Sequence, residues 1–307
     1  MTDARMRPDW IAADWGTSHL RLWRMDRAGA VLGRIDSDRG MGTLRREEFE
    51  PVLLDLLRDD LPGAGCLDVL CCGMAGSRQG WAEARYAAVP CAPPGIRQAT
   101  RVATQSERLS VRILPGLRQN APADVMRGEE TQIAGFLRTE PDFDGVICLP
   151  GTHCKWVHVS AGEVVSFRTF MTGEMFALLA DRSVLRHGIP SDGMDEGPFS
   201  DAVARTVSQP EVLARDLFTL RAEALLHGLD PVAARSRLSG LLIGAELVGA
   251  RPYWLGRDIV VMGESGIAGA YRTALDLQGV RARQVGAEEM TLSGLRAAYE
   301  DLKEGER

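Results

Sequence analysis

The chain is expected to fold as two α/β domains. Three observations predict this: its length, a strand, turn, hairpin and helix order met twice along it, and three glycine turns that each follow a strand-like apolar run. At 307 residues it exceeds one ordinary core and falls short of three domains, whose usual size is about 150 residues. A composition 45% hydrophobic and 25% charged is that of a globular enzyme rather than of a disordered or coiled-coil chain.

From Trp10 the run WIAADWG is an apolar strand ending in Asp and Gly. HLRLWRMD then alternates apolar with polar residues and turns at Arg27-Ala28-Gly29-Ala30 into a further strand, VLGRID. REEFEPVLLDLLRDDL carries apolar residues at helical spacing and stops at Pro62-Gly63, and LDVLCCGMAG is a buried strand running into a glycine turn. The order so far is β-β-β-α-β. Residues 85–120 are rich in Pro, Gly and short β-type runs, which predicts loops, edge strands and a substrate-facing insertion. DVMRGEETQIAGFLRTEP is expected to be a helix with an acidic first turn, ending before Pro141.

After it the pattern restarts. DGVICLPGTHCKWVHVS is strand, turn and strand, GEVVSFRTF is the return strand, and GEMFALLADRSVLRHG is a helix. Residues 211–249 form long amphipathic helices, which could make a homodimer face or cover the sheet. DIVVMGESGIAGAYRTALDLQG is strand, glycine turn and helix, VRARQVG is a short strand, and TLSGLRAAYEDLKEG is a closing helix. The break falls near 123–128, giving domains 1–125 and 126–307, with the last helix able to pack back on the first. Topology is duplicated without residue-by-residue identity.

Charge and cysteine content narrow the partners. A net charge of -6 and a pI near 5.5 argue against nucleic acid or an anionic membrane, which call for a basic surface. No apolar stretch approaches 18 residues, and the opening MTDARMRPDW has no apolar signal region, so a cytoplasmic address is expected. Six cysteines with no C-x-x-C spacing are expected to be reduced core residues. Only Lys155 and Lys303 are lysines, leaving 34 of the 36 basic residues as arginine.

The turn Asp14-Trp15-Gly16-Thr17 combines three capacities. Gly16 lets backbone N–H groups approach phosphate oxygens, Thr17 and Ser18 offer hydroxyls, and Asp14 can hold a hydrated Mg²⁺. The same residues also suit an ordinary hairpin turn. A second such turn, CLPGTHCKWV, brings Gly151, Thr152 and Lys155 together. A third, VVMGESGIAGAYRTAL, puts Gly263, Ser265 and Gly266 at a strand-to-helix junction, where a flat ring or a phosphate can approach a helix N-terminus and where glycines also serve close packing. No G-x-x-x-x-G-K-[ST], no G-x-G-x-x-G after a strand and no G-x-S-x-G elbow is present, so a nucleotide site must be of another type.

Taken in order, the three turns and the duplicated pattern resemble the superfamily of sugar kinases, actin and Hsp70. More closely, ADWGTSHLRLW, CGMAGSRQGW, RGEETQIAGF, LPGTHCKWV and FMTGEMFALL are similar to the 2-dehydro-3-deoxygalactonokinase family. The resemblance implies two actin-like (ribonuclease H-like) domains, each a mixed five-stranded sheet flanked by helices, with a nucleotide cleft between them. It also implies ATP and Mg²⁺, and transfer of phosphate to the 6-hydroxyl of a 2-keto-3-deoxy sugar acid in galactonate catabolism. Relatives place a Gly-Asp base at a helix start before the second phosphate turn. Here that position reads Gly128-Glu129, so Glu129 is the expected base, with Glu130 and Asp124 in reserve. Acidic residues there would equally complement a helix N-terminus.

Pro150, His153 and Cys154 stand where many relatives have small residues, which alters the second phosphate turn. Lys155 could place a point charge toward the β- or γ-phosphate, or be a solvated hairpin residue. For the substrate carboxylate an arginine is expected. Arg78, in the glycine-bracketed turn with Gly76 and Ser77, is preferred to Arg168 and Arg21, and Trp81 could wall the pocket or sit in the core. Two alternatives stay open: a kinase of another small sugar or sugar acid on this fold, or a non-catalytic actin-like module that uses ATP as a switch.

Overall fold

The computed structural model describes residues 6–305 and, at Ser265, the backbone alone. Residues 1–5 of the opening segment lie outside the described residues. Contacts divide the chain into two units. Unit 1 comprises the chain to Phe143, Ala161–Val164 and the chain from Glu288; unit 2 comprises Asp144–Ser160 and Val165–Ala287.

Unit 1 opens with β1 (Trp10–Trp15), β2 (Leu20–Met25), β3 (Val31–Ser37), α1 (Phe49–Leu56) and β4 (Leu67–Gly73). It continues through β5 (Tyr86–Ala88), β6 (Thr100–Arg101), β7 (Leu109–Ile113), β8 (Gly116–Asn120), β9 (Ala123–Met126) and α2 (Glu129–Thr139). The main sheet runs β3-β2-β1-β4-β7-β6, with β1, β4 and β7 parallel. A parallel centre must be covered on both faces, and the pleat of β1 shows how. Ile11, Ala13 and Trp15 join one buried cluster with Phe49 and Val69, while Trp10 and Ala12 join another with Leu295, Ala298 and Tyr299. The Trp10 and Tyr299 rings stack at 4.2 Å between centroids.

Unit 2 holds β10 (Gly145–Leu149), β11 (Cys154–Ser160), β12 (Glu163–Phe170), α3 (Thr172–Arg182), α4 (Glu196–Ser208), α5 (Leu213–Leu226) and α6 (Pro231–Gly249). After these come α7 (Arg251–Trp254), β13 (Ile259–Met262), α8 (Ser265–Asp276) and β14 (Arg283–Val285), and the chain closes with α9 (Ala287–Gly305). Its sheet runs β12-β11-β10-β13-β14, an antiparallel hairpin leading into parallel β10, β13 and β14. Unit 1 has the same order, so the duplication expected from the sequence is present in the sheets.

Four local expectations are corrected. Residues 123–126 form β9 rather than the start of a helix, because they pair with β8 over Leu117↔Met126 to Asn120↔Ala123; α2 begins only at Glu129. β7 is an interior strand between β4 and β6, since Val111 and Ile113 are fully buried. The two-residue β6 gives the first sheet a sixth strand. Cys66 is exposed, whereas Cys71, Cys72, Cys148 and Cys154 are buried. Among the described residues no helix is long and apolar enough to cross a membrane.

Candidate active site

In unit 1 the candidate residues collect where parallel strands end, the usual ligand edge of such sheets. The pleat puts Asp14 on the face opposite Trp15, in register with Cys72 of β4. Oδ2 of Asp14 accepts from Arg21 Nη1 at 3.0 Å, and the carboxylate is 18% exposed. Burial raises its pKa above the ordinary carboxylate value, Arg21 opposes this, and the charges of Glu129 and Glu288 push it further up.

Two glycines make this corner. Gly73 has φ +88°, and a methyl there would lie 2.8 Å from the Trp15 carbonyl oxygen and 3.3 Å from Asp14 Oδ1. Gly128 has φ +106°, and its methyl would meet the Gly73 Cα at 3.3 Å. The two turns therefore touch through bare backbone. This brings Glu129, the first residue of α2, within electrostatic reach of Asp14.

The two glutamates have separate environments. Glu129 is half-buried, with Oε2 accepting the Arg127 backbone N–H at 3.0 Å. Glu130 is fully buried, and its oxygens accept the Gly128 N–H at 2.9 and 2.8 Å. Burial, reinforced by Glu129, raises the Glu130 pKa to about 8. Glu130 thus holds the turn in place, and Asp124 accepts its own chain's Val125 N–H.

The Gly16 turn is braced from below. Gly16 N–H donates to His19 O, and Met41 and Gly42 donate to Gly16 O and Thr17 O at 2.9 and 2.8 Å. Thr17 and Ser18 are left exposed. Gly76 and Ser77 are buried and Arg78 is exposed, while Trp81 stacks on Phe49 and meets Trp15 edge-on, as a core residue.

Unit 2 contains a cavity of about 720 Å³, within the range of small-ligand sites. Gly151, Thr152 and Gly266 line it, as the sequence suggested. The methyl position at Gly151 and at Gly266 faces open space. Gly263 lies one step behind, its methyl position 3.8 Å from Pro150, and the Ser265 side chain lies outside the described residues. Lys155 is only 4% exposed, so it is not a solvated hairpin residue; its amine donates to the His153 carbonyl at 3.2 Å. Arg168 is half-buried on β12, donating to the Phe167 carbonyl.

Sequence reasoning missed much of this cavity. Thr172, Phe176, Asp192, Glu196, Arg235 and Ser239 also line it. Behind the lining residue Tyr271, Glu246 of α6 accepts from the Tyr271 hydroxyl at 2.6 Å and from Trp156 Nε1 at 2.7 Å. In the sequence, α6 reads only as an amphipathic helix, and a glutamate among its buried residues was the available signal.

The family model for 2-keto-3-deoxy-galactonokinase matches residues 14–298. The chain belongs to this family. A relative from Rhizobium meliloti strain 1021, assigned as a 2-dehydro-3-deoxygalactonokinase, is 41% identical over 94% of this chain and 96% of its own. The 2-dehydro-3-deoxygalactonokinase of Escherichia coli K12 is 31% identical over 95% and 98%. A crystal structure from Sinorhizobium meliloti, of a protein assigned the same activity, superposes with a TM-score of 0.88 at 40% identity, covering 95% of this chain and 99% of that one. The activator of the 2-hydroxyisocaproyl-CoA dehydratase from Clostridium difficile, solved with ADPNP, shares the fold alone, at a TM-score of 0.51 and 10% identity over 97% and 96%. The actin-like, two-domain fold expected from the sequence is the one found.

Both implied ligands fit the residues present. Magnesium keeps several waters and needs one or two protein carboxylates; Asp14, with Oδ1 away from Arg21 and Glu129 nearby, offers that donor set. A nucleoside fits a cavity with apolar walls at Phe176, Leu242 and Ile243 and polar groups at Arg235 and Ser239.

Proposed function

We propose that this chain is an ATP-dependent kinase that phosphorylates the 6-hydroxyl of 2-dehydro-3-deoxy-D-galactonate, in the cytoplasm, as a step of galactonate catabolism. The observation that carries the reading is the likeness to relatives of that activity along nearly the whole chain, spanning every candidate residue in both units. The cavity and the carboxylate corner give that likeness a chemical basis.

The adenosine occupies the unit 2 cavity, against Gly266 and the start of α8. The Gly151–Thr152 turn receives phosphate oxygens on its backbone, and buried Lys155 adds positive charge behind the turn. In unit 1 the Thr17 and Ser18 hydroxyls of the turn after Gly16 are offered to phosphate. Asp14 would hold magnesium through water, and the ion would supply positive charge toward the phosphates. The sugar acid lies over the Gly76–Arg78 turn, toward which exposed Arg78 draws it.

Glu129 accepts the proton of the 6-hydroxyl. That oxygen bonds to the γ-phosphorus as the bond to the β,γ-bridging oxygen breaks, and ADP leaves. The transition state is loose, so positioning and charge stabilisation outweigh basicity. Phosphorus NMR of a reaction containing Mg-ATP and the sugar acid tests the reading: a 6-phosphomonoester with equimolar ADP is expected, and phosphate on any other hydroxyl, or none, contradicts it.

A further inference from the structure

Arg127 and Ser77 in unit 1 carry hydrogen-bonding capacity that the protein itself leaves unused. The Arg127 side chain, from the turn between β9 and α2, is only 8% exposed. Its Nη2 donates to the Ala84 carbonyl at 2.7 Å, and its guanidinium lies over the Tyr86 ring, 4.2 Å from the centroid. Nε and Nη1 are buried with no partner, and so is the hydroxyl of Ser77, a residue 5% exposed. The Arg127 guanidinium packs against the turn that carries Ser77, because a methyl on Gly76, the residue before Ser77, would lie 2.8 Å from Arg127 Nη1.

Buried donors without acceptors each cost roughly 1–3 kcal/mol, and more when charged. Native proteins rarely retain such groups unless something else completes them. Glu130 lies near enough to feel the guanidinium charge, yet its oxygens are spent on the Gly128 N–H. An anion with several acceptor positions would complete these donors. The unused donors also border the reacting corner: Arg127 is two residues before Glu129, and Ser77 follows directly from the Gly73 turn that backs Gly128.

Resting on the kinase reading above, we infer that Arg127 and Ser77 bind the carboxylate of the sugar acid. The guanidinium supplies charge-assisted hydrogen bonds and the Ser77 hydroxyl one more. Arg127, not the exposed Arg78, is then the residue that selects an acid over a neutral sugar, and Gly76 is glycine because a side chain would push the turn off the guanidinium.

Steady-state kinetics with the sugar acid and Mg-ATP varied separately test this on wild type, Ser77→Ala, Arg127→Gln, Arg127→Lys and Arg78→Ala, with circular dichroism as the folding control. The sugar-acid KM is expected to rise about tenfold in Ser77→Ala and roughly a hundredfold in Arg127→Gln, with the KM for ATP unchanged. A neutral analogue bearing a hydroxymethyl group in place of the carboxylate should be a poor substrate for wild type and no poorer for Arg127→Gln. Ser77→Ala deletes a hydroxyl that has no protein partner, so it keeps the test decisive if an Arg127 variant fails to fold. An unchanged sugar-acid KM would show that the pair holds only internal water and overturn the inference. A rise in the KM for ATP instead would assign the pair to phosphate, and a rise confined to Arg78→Ala would assign the carboxylate there; both overturn it. Those outcomes leave the kinase reading standing, whereas a wild type that phosphorylates no sugar acid removes that reading and the inference together.

Discussion

The Tyr271 hydroxyl of α8 donates to the buried Glu246 carboxylate of α6 at 2.6 Å, and the Trp156 indole N–H of β11 reaches the same carboxylate at 2.7 Å. Two helices that line the unit 2 cavity, α6 and α8, are thereby held to one group together with β11. Burial raises the Glu246 pKa, and the donors around it oppose that rise.

Replacing Glu246 by alanine removes the acceptor shared by the buried Trp156 indole N–H and the Tyr271 hydroxyl. A loss of about 2–5 kcal/mol in stability is expected, with weaker nucleotide binding because Tyr271 lines the cavity. Chemical denaturation of Glu246→Ala measures the first effect and calorimetric titration with ATP the second.

Gly173 lines the cavity beside the Gly151–Thr152 turn. A methyl there would lie 2.2 Å from the Gly151 carbonyl oxygen, so Gly173→Ala must displace that turn. With overpacking costs of about 1–3 kcal/mol, the nucleotide Kd should rise roughly tenfold while the chain remains folded. Titration with a non-hydrolysable ATP analogue reads this directly.

Glu130 gives a pH dependence whose sign follows from its raised pKa. The folded chain keeps a proton that the unfolded chain releases near pH 4.5, so stability from this group is full below that pH and is lost as pH rises to about 8. Thermal melts across pH 5–8 should therefore decline less steeply for Glu130→Gln than for wild type.

In the proposed mechanism Glu129 and Asp14 have separable roles. Glu129→Gln preserves shape and should lower kcat on the order of 100- to 10,000-fold with the fold intact, since Glu129 is only half-buried. Asp14→Ala should also abolish turnover, and it should weaken the dependence of nucleotide binding on magnesium. Turnover near the wild-type rate in Glu129→Gln would move the proton to another group.

Much of the fold was legible because it is written in local periods. The β1 run, its glycine turn and the second strand–turn–hairpin each show in a short window, and both sheets repeat that order. Gly151 and Gly266, which line the cavity, stand out in the sequence for the same reason, sitting at the end of a strand and the start of a helix. The misses are nonlocal. DVMR reads as a helix start until its pairing with β8 is known, and that misreading hid Arg127 within an assumed helical turn. For Lys155 the sequence leaves a phosphate-directed charge and a solvated hairpin residue equally open, and only its burial excludes the second. The cavity draws on segments from Gly151 to Thr273, which no local pattern joins.

The central claim is a phosphotransfer that requires a keto-deoxy sugar acid. A coupled assay of ADP release, run with Mg-ATP and a panel of sugar acids, neutral sugars and no sugar, tests it most directly. The account predicts release that is strictly dependent on 2-dehydro-3-deoxy-D-galactonate or a close epimer. ADP release of equal rate without any sugar would contradict it and mark the chain as an ATP-driven switch.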